Sequence, residues 1–258
     1  MCVLALALGS HPRWPLVLAG NRDELHARPA AALARWQDAP EVLGGRDLEA
    51  GGTWLGVSEA GRLAVVTNLR GFGAPAPAAP SRGLLARDLL LGRGRYAQIR
   101  EDDLPAFNPM NLILVSGGEA RFLTNRPAAS VRPLGSGLYG LSNGDLDAPW
   151  PKTRKLKAAL AAWLGADVQD PEPLFQALAD ETRPPDAELP STGLDLERER
   201  LVSSIFLRGE VYGTRASTVV RVDAEGRGEI LERRFGPGGV PQGETAMPFS
   251  WPSGEACK

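Results

Sequence analysis

Metal-binding side chains are scarce in this sequence, which contains only two histidines and two cysteines among 258 residues. Neither CxxC nor HxxxH spacing occurs, so we expect no structural zinc site. The sequence also lacks the two glycine-rich phosphate-binding signatures, GxGxxG after a strand and GxxxxGK[ST]. A formal charge of −2 gives no net attraction to nucleic acid or to an anionic membrane. These absences give no signal for a bound metal, a nucleotide or a nucleic-acid partner.

Long apolar runs are absent as well, so we predict no membrane span. The apolar start CVLALAL lacks a basic leader, and a second apolar run at 14–20 stands where a signal-peptide cleavage site would be. We therefore interpret it as mature sequence. The cysteines, Cys2 and Cys257, lie at opposite ends of the chain; a disulfide between them is the alternative to the reduced thiols that we expect. Reduced thiols indicate a cytoplasmic protein.

Short strands and helices alternate in blocks along the chain, without an internal repeat. Consecutive hairpins imply antiparallel sheets, which the grouped helices can cover. We predict an α+β fold, a four-layer αββα sandwich of two antiparallel sheets, formed by a single domain over residues 1–258. The predicted strands are 2–8, 14–19, 53–57, 63–67, 111–115, 120–124, 202–207, 211–212, 217–222 and 229–235. The predicted helices are 81–91, with Ser81 as N-cap, and 95–102, 152–164 and 173–179.

Cys2 is the first candidate for chemistry. Removal of the initiator methionine would give it an α-amine with a pKa of about 7.7–8.0, beside a thiol of pKa about 8.5. Such an amine can accept the proton of its own side chain, which is how N-terminal-nucleophile (Ntn) enzymes activate their nucleophile. A small buried residue in a strand is the alternative role for Cys2.

The run AGNRDE follows the second predicted strand, and antiparallel pairing returns it to Cys2. Arg22 would lower the pKa of the thiol, and a carboxylate of Asp23 or Glu24 could orient the α-amine. The run therefore places a guanidinium, an amide and two carboxylates beside a potential nucleophile, and Asn21, Arg22, Asp23 and Glu24 are its candidate catalytic or substrate-binding residues. An ordinary salt bridge at a strand end is the alternative.

Three later residues complete the predicted site. Asn68 and Asn143 each end a strand, where a side-chain amide could stabilise an oxyanion or serve turn chemistry alone. Arg215 lies in the strand-like segment YGTRASTVV and either binds a specific partner or extends to solvent. The apolar walls of an acyl pocket are assigned to Trp54, Phe72 and Trp150.

The segments AGNRDE, GGTWLGVSEAGRLAVVTNLRG, GLSNGDLDAPWPKTRK and YGTRASTVVRVD resemble the NRDE family, also called the transport-and-Golgi-organisation family, from residue 1 to about 235. That family is similar to cysteine Ntn hydrolases such as the choloylglycine and penicillin V acylases. The resemblance implies an αββα sandwich, Cys2 as the nucleophile, and hydrolysis of a non-peptide amide without a cofactor. It assigns Asp23 to the carboxylate that holds the α-amine and Arg22 to the guanidinium near the thiol, which makes both catalytic and leaves Asn21 and Glu24 as substrate-binding residues. It assigns Asn68 and Asn143 to the two sides of the intermediate and Arg215 to the transition state. The arginine and aspartate are usually further apart in the acylases than Arg22 and Asp23 are here.

The same resemblance supports a second hypothesis, a non-catalytic role in haem trafficking or lipid homeostasis. Haem would need an axial ligand, for which Cys2, His11 and His26 are candidates. A third hypothesis is a degenerate hydrolase that mediates protein contacts through tryptophan-containing segments.

Overall fold

The computed structural model describes residues 2–166 and 168–252. Met1 and Cys257 lie outside this range. The strands within it are β1 Cys2–Leu8, β2 Leu16–Leu25, β3 Ala30–Trp36, β4 Ala39–Asp47, β5 Leu55–Ser58, β6 Arg62–Asn68, β7 Met110–Ser116, β8 Glu119–Thr124, β9 Ser130–Leu134, β10 Gly137–Leu141, β11 Tyr212–Val222, β12 Arg227–Phe235 and β13 Pro241–Ser250. The α-helices are α1 Arg82–Leu91, α2 Pro151–Gly165, α3 Glu172–Leu178 and α4 Leu196–Leu201.

The strands form two antiparallel sheets. One has six strands in the order β10-β1-β2-β11-β12-β13, and the other has seven in the order β3-β4-β5-β6-β7-β8-β9. Helices α2 and α3 pack on the outer face of the six-stranded sheet, and α1 packs on the outer face of the seven-stranded sheet. The predicted α+β fold with four αββα layers is therefore confirmed.

Strand β1 is buried on both faces, because it lies inside the six-stranded sheet between two apolar layers. Leu4, Leu6 and Leu8 point into the core between the sheets. The intervening small residues, such as Ala5 and Ala7, point toward α2 and α3. This alternation directs the side chain of Cys2 to the space between the sheets, where β1 begins.

Several predicted elements match the structure closely. Ser81 caps α1, its hydroxyl accepting a hydrogen bond from the backbone N–H of Leu84, and Gly92 ends the helix in the left-handed conformation with φ 65°.

In the described part of the chain, no helix has the length and apolarity needed to cross a bilayer.

Other local predictions were wrong. A 3₁₀ helix at Glu101–Ala106 stands in place of the α-helix predicted at 95–102, because Asp103 accepts the backbone N–H of Arg100 and starts the helical turn there. Residues 202–207 form no strand, since their backbone bonds elsewhere; the Phe206 N–H, for example, donates to the Asp180 carbonyl. The two strands predicted at 211–212 and 217–222 are one continuous strand, β11.

Candidate active site

A cavity of about 410 Å³ opens between the two sheets, at the end where β1 begins. Strand β2, the bulge of β11, the proline-rich segment 75–80 and the start of α1 contribute to its walls. Of the eleven predicted site residues, seven line this cavity: Cys2, Arg22, Asp23, Glu24, Trp54, Asn68 and Arg215. The volume is typical of a small-molecule site.

The first residue of β1 is held from both sides. Cys2 is directly opposite Arg22 in the β1–β2 ladder, and it is 7% exposed. Its carbonyl accepts a hydrogen bond from Ser142 Oγ at 2.7 Å, and its backbone N–H donates to Asn143 Oδ1 at 3.5 Å. That nitrogen would be the α-amine of a processed chain, so Asn143 and Ser142 fix its position relative to the thiol.

Burial raises the pKa of the Cys2 thiol, and the nearby charge of Asp23 raises it further. The Arg22 guanidinium and a hydrogen bond from the backbone N–H of Asp23 are among the features that act in the opposite direction and lower the pKa of this thiol. Because the net shift is upward, the thiol stays protonated near neutral pH. It therefore needs a neighbouring base before it can act as a nucleophile.

The Asp23 carboxylate is buried, on the face of β2 that points toward the helices. Its Oδ1 accepts a hydrogen bond from Thr214 Oγ1 at 2.8 Å, and its backbone carbonyl accepts one from the Tyr212 hydroxyl at 3.1 Å. Burial raises the pKa of Asp23, whereas the charges of Lys152 and Arg70 lower that pKa. The carboxylate is thus one member of a buried polar network behind Cys2.

Lys152 belongs to that network. It is 5% exposed, and its Nζ donates to the Val202 carbonyl at 2.9 Å. Burial and the nearby charge of Arg70 lower the pKa of Lys152 to about 8. Arg70 in turn pairs with buried Glu199 at 3.1 Å. Two cations and two carboxylates therefore balance one another beneath the cavity when all four are ionised.

The two asparagines have different environments. Asn143 is fully buried and outside the cavity lining, and its Nδ2 donates to the Asn68 carbonyl at 2.9 Å. Its side-chain amide is therefore occupied by holding Asn68 and Cys2, which does not match the predicted contact with an intermediate. The Asn68 side chain is exposed, lines the cavity and makes no hydrogen bond within residues 2–166 and 168–252. Asn68 is the asparagine whose amide can face a ligand.

Two arginines of the predicted site, Arg22 and Arg215, lie in the cavity wall. Arg22 lies 3.7 Å from Glu24, Nη2 to Oε2, and both side chains point to the space between the sheets. Arg215 lies where a bulge interrupts the β2–β11 register. Its Nη1 donates to the carbonyls of Leu25 at 2.8 Å and Arg28 at 2.9 Å, which fixes the guanidinium at the rim.

Three residues predicted to bind substrate are not in the cavity lining. Asn21 is buried on the helix-facing side of β2, because side chains alternate along the strand; its Nδ2 donates to the carbonyls of Leu178 and Ile205. Phe72 is 42% exposed on a loop. Trp150 precedes α2 and stacks against Arg70, 5.4 Å from ring centroid to guanidinium carbon. Of the proposed apolar walls, only Trp54 lines the cavity.

Several cavity residues were missed from the sequence. Arg82, at the start of α1, and Arg234, on β12, both line the cavity. Burial lowers the pKa of Arg82, and the nearby Cys2 acts in the opposite direction on that pKa. Thr214 and Ser142 act behind the cavity. Ser142 directly precedes Asn143 in the segment LSNG, which is the one local signal that could have identified it.

Neither histidine lines the cavity. His11 Nδ1 accepts the backbone N–H groups of Arg13 and Trp14 in the β1–β2 turn, and His26 Nε2 is 3.1 Å from the Gly209 carbonyl. Within residues 2–166 and 168–252, no three histidine, cysteine or acidic side chains are grouped to hold a metal ion.

The layered sheets and the cysteine at the first position of β1 define the class of fold, that of the Ntn hydrolases. The "mutant C2A conjugated bile acid hydrolase from Clostridium perfringens" superposes with a TM-score of 0.50 at 10% identity, over 95% of this chain and 92% of that one. Its low identity makes this a similarity of fold alone.

The sequence profile of the Transport and Golgi organisation 2 family matches residues 1–237, and the chain belongs to that family. The "Transport and Golgi organization protein 2 homolog" of Bos taurus is 33% identical, over 90% of this chain and 92% of its own length. The "Transport and Golgi organization protein 2" of Drosophila melanogaster is 28% identical, over 95% of each chain.

Proposed function

We propose that this chain is an Ntn amidohydrolase that cleaves a non-peptide amide through a thioester on Cys2. The observation that supports the proposal is the position of Cys2. It lies at the first position of a buried strand, on the wall of a ligand-sized cavity, with its backbone nitrogen held by Asn143 and a guanidinium directly across the ladder. The fold similarity to a conjugated bile acid hydrolase is consistent with this chemistry.

In the proposed reaction, loss of Met1 exposes the α-amine of Cys2, and this amine takes the proton of the thiol. The thiolate then attacks the substrate carbonyl carbon, and the oxygen gains the negative charge. When the C–N bond breaks, the ammonium group returns the proton to the departing amine, leaving a thioester on Cys2. The same α-amine then takes a proton from water, and the hydroxide attacks the thioester carbonyl carbon. When the C–S bond breaks, the ammonium group returns this proton to the departing thiolate, which restores Cys2 and releases a carboxylic acid.

The surrounding residues have separate roles in this proposal. Arg22 stabilises the thiolate, since it lowers the pKa of a thiol that burial otherwise raises. The free amide of Asn68 donates to the oxyanion. Asp23 acts as a positioning residue, because its charge lies behind Cys2 and its carboxylate is fixed by Thr214. A reduced thiol is required throughout, so we propose a cytoplasmic location.

The haem-binding alternative has weaker support in the cavity. Of the three candidate axial ligands, Cys2 lines the cavity, whereas His11 and His26 do not. A haem titration followed by the Soret band tests this alternative, since saturable binding with a thiolate-type spectrum that disappears in Cys2→Ala would favour it over hydrolysis.

The proposal is tested by intact mass spectrometry after incubation with acyl amides and β-lactams such as penicillin V. We expect protein that lacks Met1 and acquires one acyl group, removable by hydroxylamine as a thioester is. Cys257→Ala is the matched control and should be acylated like the wild type, whereas Cys2→Ala should not. Retention of Met1 in protein that turns over substrate, or full turnover by Cys2→Ala, would refute the proposal.

A further inference from the structure

Positive charge is concentrated in the cavity. Although the whole chain has a formal charge of −2, six arginines line this one space. Asp23 also borders it, but its carboxylate points to the other face of β2, which leaves three carboxylates and an excess of three positive charges. The arginines are Arg22, Arg28, Arg46, Arg82, Arg215 and Arg234, and the carboxylates are Glu24, Asp47 and Glu232. A concave site with an excess of one charge attracts ligands of the opposite charge.

Half of these arginines are neutralised by neighbouring carboxylates. The pairs are Arg22 with Glu24, Arg28 with Asp47, and Arg46 with Asp38. In the described part of the chain, Arg82, Arg215 and Arg234 have no carboxylate within ion-pair distance. Arg82 and Arg215 each donate from one guanidinium nitrogen, Nη1, to backbone carbonyls. The excess charge therefore resides on three arginines whose remaining donors are available in the cavity.

Arg234 has a particular relation to the nucleophile. The ladders align Cys2 with Arg22, Arg22 with Ala216, and Ala216 with Arg234, so the four residues form one row across the six-stranded sheet. All four line the cavity. Three strand spacings place the Arg234 backbone about 14 Å from that of Cys2. Cys2 and Arg234 thus mark two separate ends of one continuous floor.

The guanidinium of Arg234 is fixed but incompletely bonded. Its Nη2 donates to the Gln242 carbonyl at 3.0 Å, and its Nε is buried without a hydrogen-bond partner in the described residues. Glu232, an acidic residue of the same strand that also lines the cavity, is already bonded to the Leu33 N–H at 2.7 Å, and burial raises the pKa of Glu232. A buried donor without a partner is costly unless a ligand satisfies it.

We infer that the substrate carries an anionic group, a carboxylate or a phosphate, which Arg234 binds at the end of the cavity remote from Cys2. The inference rests on the proposed function for the position of the scissile amide. The scissile amide at Cys2 and the anionic group at Arg234 are then separated by a linker that follows the row from β1 to β12. An arginine suits this role, since its planar fork recognises both oxyanions through paired hydrogen bonds.

The test uses coumarin amides whose acyl chains end in a carboxylate, a phosphate monoester or a methyl ester, with lengths from glutaryl through suberoyl to dodecanedioyl. Binding to the Cys2→Ala protein is measured by fluorescence anisotropy, and hydrolysis is measured with the wild type. We expect the anionic chains to bind about ten- to a hundredfold more tightly than the esters, once they are long enough to reach Arg234. Added salt should reduce this preference.

Arg234→Gln in the Cys2→Ala background should remove the preference for the anionic chains and leave ester binding unchanged, and Arg234→Lys should keep part of it. Arg233→Gln is the matched control, because Arg233 is adjacent on β12 but pairs with Glu172 and Glu244 outside the cavity. Thermal unfolding verifies that each variant is folded.

A preference lost in Arg234→Gln and kept in Arg233→Gln supports the inference. The relative affinities of the carboxylate and phosphate chains then identify the anion. Equal binding of anionic and ester chains, no binding of either, or a preference that survives Arg234→Gln overturns it. Binding of the expected kind without any hydrolysis by the wild type would refute the proposed function and leave the anion site standing.

Discussion

Two threonines of β11 allow a sharp test of how Asp23 is held. Thr214 is buried; its Oγ1 accepts the Leu207 N–H at 2.8 Å and donates to Asp23 Oδ1 at 2.8 Å. Thr218, four residues along the strand, is also buried, but its Oγ1 has no hydrogen-bond partner in the described residues. Replacing each with valine keeps the shape and removes only the hydroxyl.

Only the first of the two substitutions should lower stability. Thr214→Val leaves a buried N–H unpaired, at about 1–3 kcal/mol, and removes a donor from a buried carboxylate, at about 1.5–3 kcal/mol. We therefore expect the free energy of unfolding to fall by about 3–5 kcal/mol. Thr218→Val removes a hydroxyl that was buried without a bond, so stability should stay the same or rise by about 1–3 kcal/mol.

The assay is urea unfolding followed by tryptophan fluorescence, with the slope m compared between variants so that the midpoints report stability. Hydrolysis of the acyl amides is measured alongside, and Thr214→Val should also lower kcat because Asp23 is no longer fixed. If Thr214→Val and Thr218→Val unfold at the same urea concentration, the hydrogen bonds of Thr214 do not stabilise the fold and this explanation of Asp23 fails.

Three further predictions concern charge and packing. Burial raises the pKa of Glu232 above its ordinary 4.5, so the folded state binds this proton more tightly than the unfolded chain does. The free energy of unfolding should therefore fall as pH rises above 4.5. Glu232→Gln can still accept the Leu33 N–H and should lack this fall when urea unfolding is measured as a function of pH. The pKa of Lys152 is about 8 in the folded protein, against an ordinary 10.5, so between these two values the unfolded chain binds the proton and the folded protein does not. The free energy of unfolding should therefore rise by about 3 kcal/mol from pH 8 to 10.5, and Lys152→Met should lose this rise. Gly52→Ala should destabilise the protein by about 1–3 kcal/mol, measured by thermal unfolding. A Cβ at this position would lie 2.1 Å from the Gly83 backbone carbon and would force the start of α1 away from the sheet. An unchanged unfolding midpoint would contradict this close approach of α1 to the Gly52 backbone.

The contact between Cys2 and Arg22 was predictable, because it depends only on local pattern. Two apolar runs with a short turn between them fix a hairpin, and the register follows from its turn. The structure has this pairing, with Cys2 opposite Arg22. Both ends of α1 were equally predictable, since Ser81 and Gly92 are residue types that favour the N-cap and the C-cap of a helix.

The strands between 30 and 47 were not predicted, and their composition explains why. Segments such as AAALARW and APEVLGGRD lack a clean alternation of apolar and polar residues. They are strands because they pair with each other and with β5, which is a property of the tertiary fold.

The remote half of the site could not be predicted for a related reason. Arg234 reaches the cavity because β11 inserts between β2 and β12, and pairings between segments some two hundred residues apart leave no local signal. The different roles of Asn68 and Asn143 were inaccessible too, since both end strands and only their tertiary contacts distinguish them.

The four residues Asn21, Arg22, Asp23 and Glu24 contribute alternately to two different layers of the protein. The side chains of Arg22 and Glu24 point into the cavity, whereas those of Asn21 and Asp23 point to the opposite face of β2. On that face, Asn21 donates to the carbonyls of Leu178, the last residue of α3, and Ile205, and so ties the helical layer to the sheet. Inserting a single residue just before Asn21 would exchange the two faces, so that the charged side chains of Arg22 and Glu24 point toward the helices and Asn21 points into the cavity. Ligand recognition and the attachment of the outer layer therefore depend on the same alternation of side chains along β2, and neither can shift without the other.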